Sequence, residues 1–311
     1  MTHVRGRAPS PGSWVISTLH SAVKVTHVRI RGESTNYSGF RMTLPITFLT
    51  DYGVSDDFAG VCRAVIARIA PGTQVIDISH GIGRHDVRQA SAILADSLPY
   101  APVGVHLAIV DPGVGGPRRA VAVRTQADGH LLVGPDNGLL PPAIDCLGGA
   151  AEAVDISNSP FRLEHPSATF HGRDLFAPVA ANLALGKDLS AAGVAIEPSS
   201  LERQPVSRPR LEQLRAFAHA ERIDGFGNIS LDLCRDDLEG HPLAGAHRVS
   251  VGSRKRRRTA TRATAFEEVV DGGFLFYEDS AGRMAIAVNR GDASEVLDLR
   301  VGDVVELEPA P

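Results

Sequence analysis

The sequence predicts an α/β N-terminal domain with a mainly parallel sheet, followed by a smaller all-β barrel domain. Three observations carry this. Between residues 44 and 110, short apolar runs alternate with amphipathic stretches as strand, helix, strand, helix, strand. That order implies right-handed crossovers and parallel pairing. Near residues 196–211, Pro198, Pro205 and Pro209 interrupt both helix and inner strand. Beyond that break come short alternating segments separated by turn signals, the texture of a small antiparallel barrel or sandwich. The expected layout is an N-terminal domain over residues 42–196, a linker over 197–211 and a barrel over 212–311. Residues 1–41 mix Pro, Gly, Ser, His and Arg with little periodicity and are expected to be a disordered extension.

Residues 45–50 form the first expected strand, ended by Asp51, Tyr52 and Gly53. Ser55, Asp56 and Asp57 then offer side-chain caps for a helix whose apolar stripe is Phe58, Cys62, Val65, Ile66 and Ile69. Pro71 and Gly72 stop it. Residues 73–78 give a second strand, ended by Ser79, His80 and Gly81. Asp86 opens a second helix, with Val87, Ala90, Ile93, Leu94 and Leu98 facing inward. The run Leu107, Ala108, Ile109, Val110 suits a strand covered on both faces. Asp111 stands at its end, and Pro112, Gly113, Gly115 and Gly116 force a turn before Arg118 and Arg119. In open α/β sheets ligands bind beyond such strand ends. Residues 120–123 and 131–133 read as two strands joined at Asp128-Gly129. Phe176 opens the apolar body of a helix over residues 176–185. In the second part, strands are expected at residues 216–223, 228–233, 247–251, 274–277, 285–288 and 304–307.

Thirty-two basic against 36 acidic residues give a net charge of −4, which exerts no global pull toward nucleic acid. Cys62, Cys146 and Cys234 form no CxxC pair or disulfide framework, which fits a reducing, cytoplasmic setting and no zinc cluster. No apolar run approaches the ~18 residues of a membrane span. The run Arg254-Lys255-Arg256-Arg257-Arg258 carries no interleaved aromatics and reads as a solvated loop between two strands.

Familiar motifs are missing. Arg118 stands where a GxGxxG pattern beginning at Gly113 needs its third glycine, and neither a P-loop nor GxSxG occurs. His80, His85 and His171 with Asp77 and Asp111 lack metal-ligand spacing, so no metal or cofactor is expected. Asp136 and Asn137 are either turn formers or substrate neighbours. Arg173 and Asp174 read as an ion pair at a helix start. Asp77 and His80 read as groups supporting the site.

The constellation says more than its parts. Thr50-Asp51-Tyr52-Gly53, Asp77-Ile78-Ser79-His80, Asp111-Pro112-Gly113-Val114-Gly115, Pro135-Asp136-Asn137-Gly138 and Phe170-His171-Gly172-Arg173-Asp174 occur in this order, each at an element end. Asp224-Gly225-Phe226-Gly227-Asn228 and Ala287-Val288-Asn289 follow. Over residues 44–307 this resembles the S-adenosylmethionine hydrolase (hydroxide adenosyltransferase) family, which is related to fluorinating and chlorinating enzymes. The resemblance implies hydrolysis of S-adenosylmethionine to adenosine and methionine by water attack at C5′. It also implies a homotrimer with each site between two subunits. It assigns a catalytic set to Asp111, Arg118 and His171, and the ribose hydroxyls to Asp51. The methionine end falls to Asp224, Ser280 and Asp56, and the adenine end to Asn228, Asn289 and Arg290. A halogenase on the same scaffold and a non-catalytic adenosyl-compound binder are the alternatives. Asp111 and Gly172 stand where the fluorinating relatives have an uncharged residue and a serine, which favours water.

The residue types suit that chemistry. A sulfonium departs as a neutral thioether and needs no acid. A hydroxide-like nucleophile meeting a cation destroys charge, which a dry site favours. Arg118 can stabilise developing hydroxide, and Asp111 and His171 can orient water and handle its proton. Sequence leaves open which of the two takes it.

Overall fold

The computed structural model describes residues 43–205 and 208–311; the expected extension over residues 1–41 lies outside the described residues. The first sheet has seven strands: β1 (Ile46–Thr50), β2 (Val75–Ser79), β3 (Val105–Ile109), β4 (Ala120–Thr125), β5 (Leu131–Pro135), β6 (Ala150–Asp155) and β7 (Val194–Ile196). Their order is β2-β1-β3-β5-β4-β6-β7. The β2-β1-β3-β5 half is parallel, whereas β4, β6 and β7 pair antiparallel.

Strands β1, β3 and β5 are buried along their whole length because both faces are covered, whereas β2 at the sheet edge is only partly buried. Ile46, Phe48, Val105, Leu107 and Ile109 point toward α1 (Phe58–Ile69), and Leu49, Ala108 and Val110 point toward the opposite side. On that opposite face lie α2 (Val87–Ser97) and α3 (Pro141–Cys146), while α4 (Ala177–Ala184) packs beside α1. The Asp86 side chain caps α2 by accepting from the Gln89 N–H at 2.9 Å. The expected side-chain cap of α1 is not formed: Asp57 holds the cap position with its backbone carbonyl only, and Asp56 faces a cleft. The β4–β5 connection is the expected tight hairpin, with Asp128 and Gly129 both at positive φ (49° and 70°).

The second sheet comprises β8 (Arg210–Leu211), β9 (Ala216–Ile223), β10 (Ile229–Cys234), β11 (Arg248–Gly252), β12 (Arg257–Arg262), β13 (Phe274–Glu278), β14 (Arg283–Val288) and β15 (Val304–Pro309). Its order is β10-β14-β13-β12-β11-β15-β9-β8, and β9 also pairs with β10. That extra pairing closes seven strands into a barrel, with β8 added beside β9. Ala216, Ala218 and Ala220 alternate into the barrel core with Leu231, Val251, Phe276, Ile286 and Leu307.

The basic run is not a loop throughout. Arg257 and Arg258 begin β12, and Arg254 sits at the preceding turn. The reason lies on β15: Glu306 pairs with Arg254 at 3.0 Å and with Arg257 at 3.5 Å, and Glu308 pairs with Arg257 at 3.2 Å. Strand β12 escapes the sequence reading because only Ala260 of its six residues is buried.

Residues of the expected linker are held to the first sheet. Asp136, 5 % exposed, accepts from Arg119 Nε and from the Glu202 N–H at 2.8 Å each. Asn137 Nδ2 donates to the Val110 carbonyl at 2.9 Å. Both residues of this turn are therefore structural. Arg283 on β14 bonds Asp96 of α2 at 2.8 Å and Glu221 at 2.9 Å, tying the barrel to the α/β layer.

Candidate active site

A cleft of about 570 Å³ opens beyond the carboxyl ends of β1 and β3, where parallel sheets place ligands. Asp51 and Tyr52 leave β1, Asp111 leaves β3, and Thr169 to Gly172 cross from the entry to α4. Gly115 makes the approach of the last two possible. Its φ is +75°, and a Cβ there would lie 2.5 Å from the Ala168 carbonyl oxygen. Without a side chain, the 111–118 turn packs directly on the segment that delivers His171.

Arg118 joins the three expected catalytic residues. Its Nε donates to Asp111 Oδ1 at 2.9 Å and its Nη2 to Asp111 Oδ2. The same Nη2 approaches His171 Nδ1 at 2.9 Å. A guanidinium has only donors, so Nδ1 must accept and the imidazole proton resides on Nε2. Burial, then the Arg118 charge, hold His171 below its ordinary range, so it is neutral near pH 7. Two of the nitrogens expected to face hydroxide are thus occupied by Asp111 and His171. Arg119, by contrast, bonds Asp136 and Ser200.

Asp51 Oδ2 accepts the His85 N–H at 2.9 Å. His85 reaches it through a left-handed conformation (φ 63°), strained for a side-chain-bearing residue. Behind Asp51, Thr50 Oγ1 bonds His80 Nδ1 at 2.8 Å, and Arg63 and Asp77 each approach His80 Nε2 at 3.1 Å. The expected supporting role of Asp77 and His80 thus has a geometry. Arg173 pairs with Asp174 at 2.6 Å in the π-turn Gly172–Phe176, and Asp174 also accepts the Ser167 N–H.

Asp56 lines the same cleft, as do Arg84 and His85, which the sequence reading did not assign to substrate. No periodicity marks them; the turn between β2 and α2 brings them in. The barrel residues do not line this cleft. Asp224 and Asn228 bond each other at 2.9 Å before β10, Asn289 and Arg290 follow β14, and Ser280 lies in the turn preceding β14. Phe226, between Asp224 and Asn228, is 80 % exposed. Among the described residues, no group of three or more His, Cys, Asp or Glu side chains is arranged to hold a metal ion. No helix among them is long and apolar enough to cross a membrane.

An α/β domain with a charged cleft at its strand ends, joined to a closed barrel, defines the class. The chain matches the SAM hydroxide adenosyltransferase N-terminal domain over residues 46–193 and the corresponding C-terminal domain over residues 218–306. It belongs to that family. It is 47% identical over 258 residues to an (R)-S-adenosyl-L-methionine hydrolase of Salinispora tropica, covering 83% of this chain and 95% of the relative. A fluorinase of an Actinoplanes species is more distant, at 28% identity over 62% of this chain and 73% of its own. A crystal structure of a conserved protein from Thermotoga maritima superposes with a TM-score of 0.77 at 38% identity, covering 84% of this chain and 99% of that one.

Proposed function

We propose that this protein hydrolyses (R)-S-adenosyl-L-methionine to adenosine and L-methionine by in-line attack of water at C5′. The observation that carries the reading is the Asp111–Arg118–His171 contact set at the cleft, in a chain whose relative at 47% identity bears the hydrolase name. The fluorinase is the more distant relative, and a carboxylate at the nucleophile position opposes a halide. Two unit charges 4 Å apart repel by about 4 kcal/mol at an effective dielectric of 20.

The steps follow from the residues. Water is held by Asp111, whose carboxylate is oriented by Arg118. Its oxygen bonds C5′ as the C5′–S bond breaks, and the electron pair leaves on sulfur as a neutral thioether. Asp111 accepts one water proton and passes it to solvent; the other remains on the new 5′-hydroxyl. His171 does not take that proton, because its free nitrogen already carries one. It serves as a donor and as the wall that keeps Arg118 directed at Asp111. No cofactor is required, since sulfur departs uncharged.

Asp51 binds the two ribose hydroxyls, with one oxygen fixed by His85. Asp56, Asp224 and Ser280 take the methionine end, and Asn228, Asn289 and Arg290 the adenine end. The barrel groups come from a neighbouring subunit of a homotrimer; their absence from the cleft of their own chain and the exposure of Phe226 support this. The unpaired Cys62, Cys146 and Cys234 support a reducing, cytoplasmic setting.

The test incubates purified protein separately with the R and S sulfonium epimers in oxygen-18 water, with and without chelator, chloride and fluoride, and identifies products by mass spectrometry. Adenosine labelled at the 5′-hydroxyl should form from the R epimer, unaffected by chelator. A 5′-halogenated adenosine formed at a comparable rate, or no turnover of either epimer, would overturn the proposal.

A further inference from the structure

Gly172 follows His171 at the base of the cleft and is buried. It is not among the residues at positive φ, so backbone conformation does not explain a glycine there. The space does. A Cβ at position 172 would lie 2.2 Å from the Tyr52 hydroxyl oxygen and 3.2 Å from the carbon bearing it. The phenol oxygen fills the volume that any other residue at 172 would need.

Tyr52 cannot readily turn away. Its ring packs against Phe58 at 5.8 Å and edge-on to Phe170 at 5.9 Å. Its N–H donates to Thr50 Oγ1 at 3.1 Å, and that oxygen is itself bonded to His80 at 2.8 Å. Burial is the main cause that pushes the phenol above its ordinary range, and the Asp51 and Asp111 carboxylates add to it. The group is a neutral O–H at the pH of the cell, walling the same cleft as Asp111 and His171.

We propose that the Tyr52 hydroxyl is a further catalytic group that donates a hydrogen bond to the attacking water, and that Gly172 is glycine in order to admit it. The proposal rests on the hydrolytic reading above. A water has two protons and two lone pairs. One proton goes to Asp111, and Tyr52 engages one lone pair. The second lone pair is then left to point at C5′, so the oxygen is oriented as well as held. During the step the oxygen bonds C5′, the C5′–S pair leaves on sulfur, and Tyr52 keeps its own proton. The pair also sets specificity. The site is matched to a nucleophile that both donates and accepts, and a halide, with no proton to give, could make no hydrogen bond to Asp111.

The experiment measures steady-state hydrolysis by wild type, Tyr52→Phe, Gly172→Ala and the double variant, with a thermal melt of each. Wild-type turnover comes first: its absence would sink the hydrolytic reading and this inference together. With wild type active, Tyr52→Phe keeps the ring and should melt normally. Its kcat should fall roughly tenfold, as expected for one lost hydrogen bond, with KM nearly unchanged. Gly172→Ala displaces the hydroxyl and should lose a similar factor. The double variant should be no slower than the worse single one, because both act on one contact. Unchanged kcat in Tyr52→Phe would overturn the proposal, as would a loss confined to KM. Losses that multiply in the double variant would also overturn it. Should Gly172→Ala fail to fold, the kcat and KM of Tyr52→Phe decide alone.

Discussion

Replacing Asp111 by Asn tests the mechanism most directly. The carboxylate receives Arg118 Nε and Nη2 on its two oxygens, and the two side chains are 7% and 12% exposed. An amide can offer only one oxygen. Its NH₂ would face one of the Arg118 donors, and it cannot take a proton from water. Loss of a general base lowers rates by about 10²–10⁴, equivalent to roughly 3–5 kcal/mol in the activation free-energy barrier. Arg118 would also be left without its counter-charge in a largely buried site, so stability should fall by about 3 kcal/mol. Adenosine is uncharged and, on the proposed assignment, is held through Asp51, so its affinity should hold within about threefold. The assay pairs single-turnover adenosine release with calorimetric titration of adenosine and urea unfolding of the same samples. Adenosine affinity that collapses in step with turnover would place Asp111 in binding rather than in catalysis. Turnover that survives the change would remove it from the mechanism.

If one carboxylate serves both ribose hydroxyls as proposed, Asp51→Ala should weaken adenosine binding by about tenfold or more; unaltered affinity in the same titration would move the ribose elsewhere. Asp111→Asn and Asp224→Ala chains, each inactive, should regain partial activity when unfolded and reassembled together, and no recovery in verified mixed trimers would assign each site to one chain. His106 is wholly buried between Thr47 and His130, and burial with the His130 charge pushes its pKa down to about 3. A lowered folded pKa means the unfolded chain takes up the proton first, so stability is lost as pH falls below the ordinary histidine range. From pH 7 to 5 this one group should contribute a loss of about 2 kcal/mol in urea unfolding. His106→Gln should flatten that dependence, and an unchanged slope would refute the assignment.

Much of this protein was legible locally. Strands β1 and β3 are legible because a strand covered on both faces is mostly apolar, with Thr47 and His106 satisfying each other as buried exceptions. Strands β9 and β15 show their alternation because a barrel wall has one wet face. Asp51, Asp111 and His171 were legible as polar residues interrupting apolar runs at element ends, where a parallel sheet exposes its ligand-binding edge. The family resemblance then ordered them.

What stayed hidden depends on partners distant in sequence. Strand β12 is polar along most of its length and exists because Glu306 and Glu308 on β15 balance its arginines. The β9–β10 pairing that closes the barrel cannot be inferred from either strand alone. Arg118 and Arg119 are neighbours in sequence, yet one bonds Asp111 and the other Asp136. The neutral His171 tautomer follows only once Arg118 is seen on Nδ1. Gly172 looks like a turn residue until Tyr52, 120 positions earlier in the sequence, is found in the space its side chain would fill. Apolar periodicity is a property of a segment and survives in the sequence. The partner of a charge and the volume beside a glycine belong to the packed chain, because long-range contacts determine both.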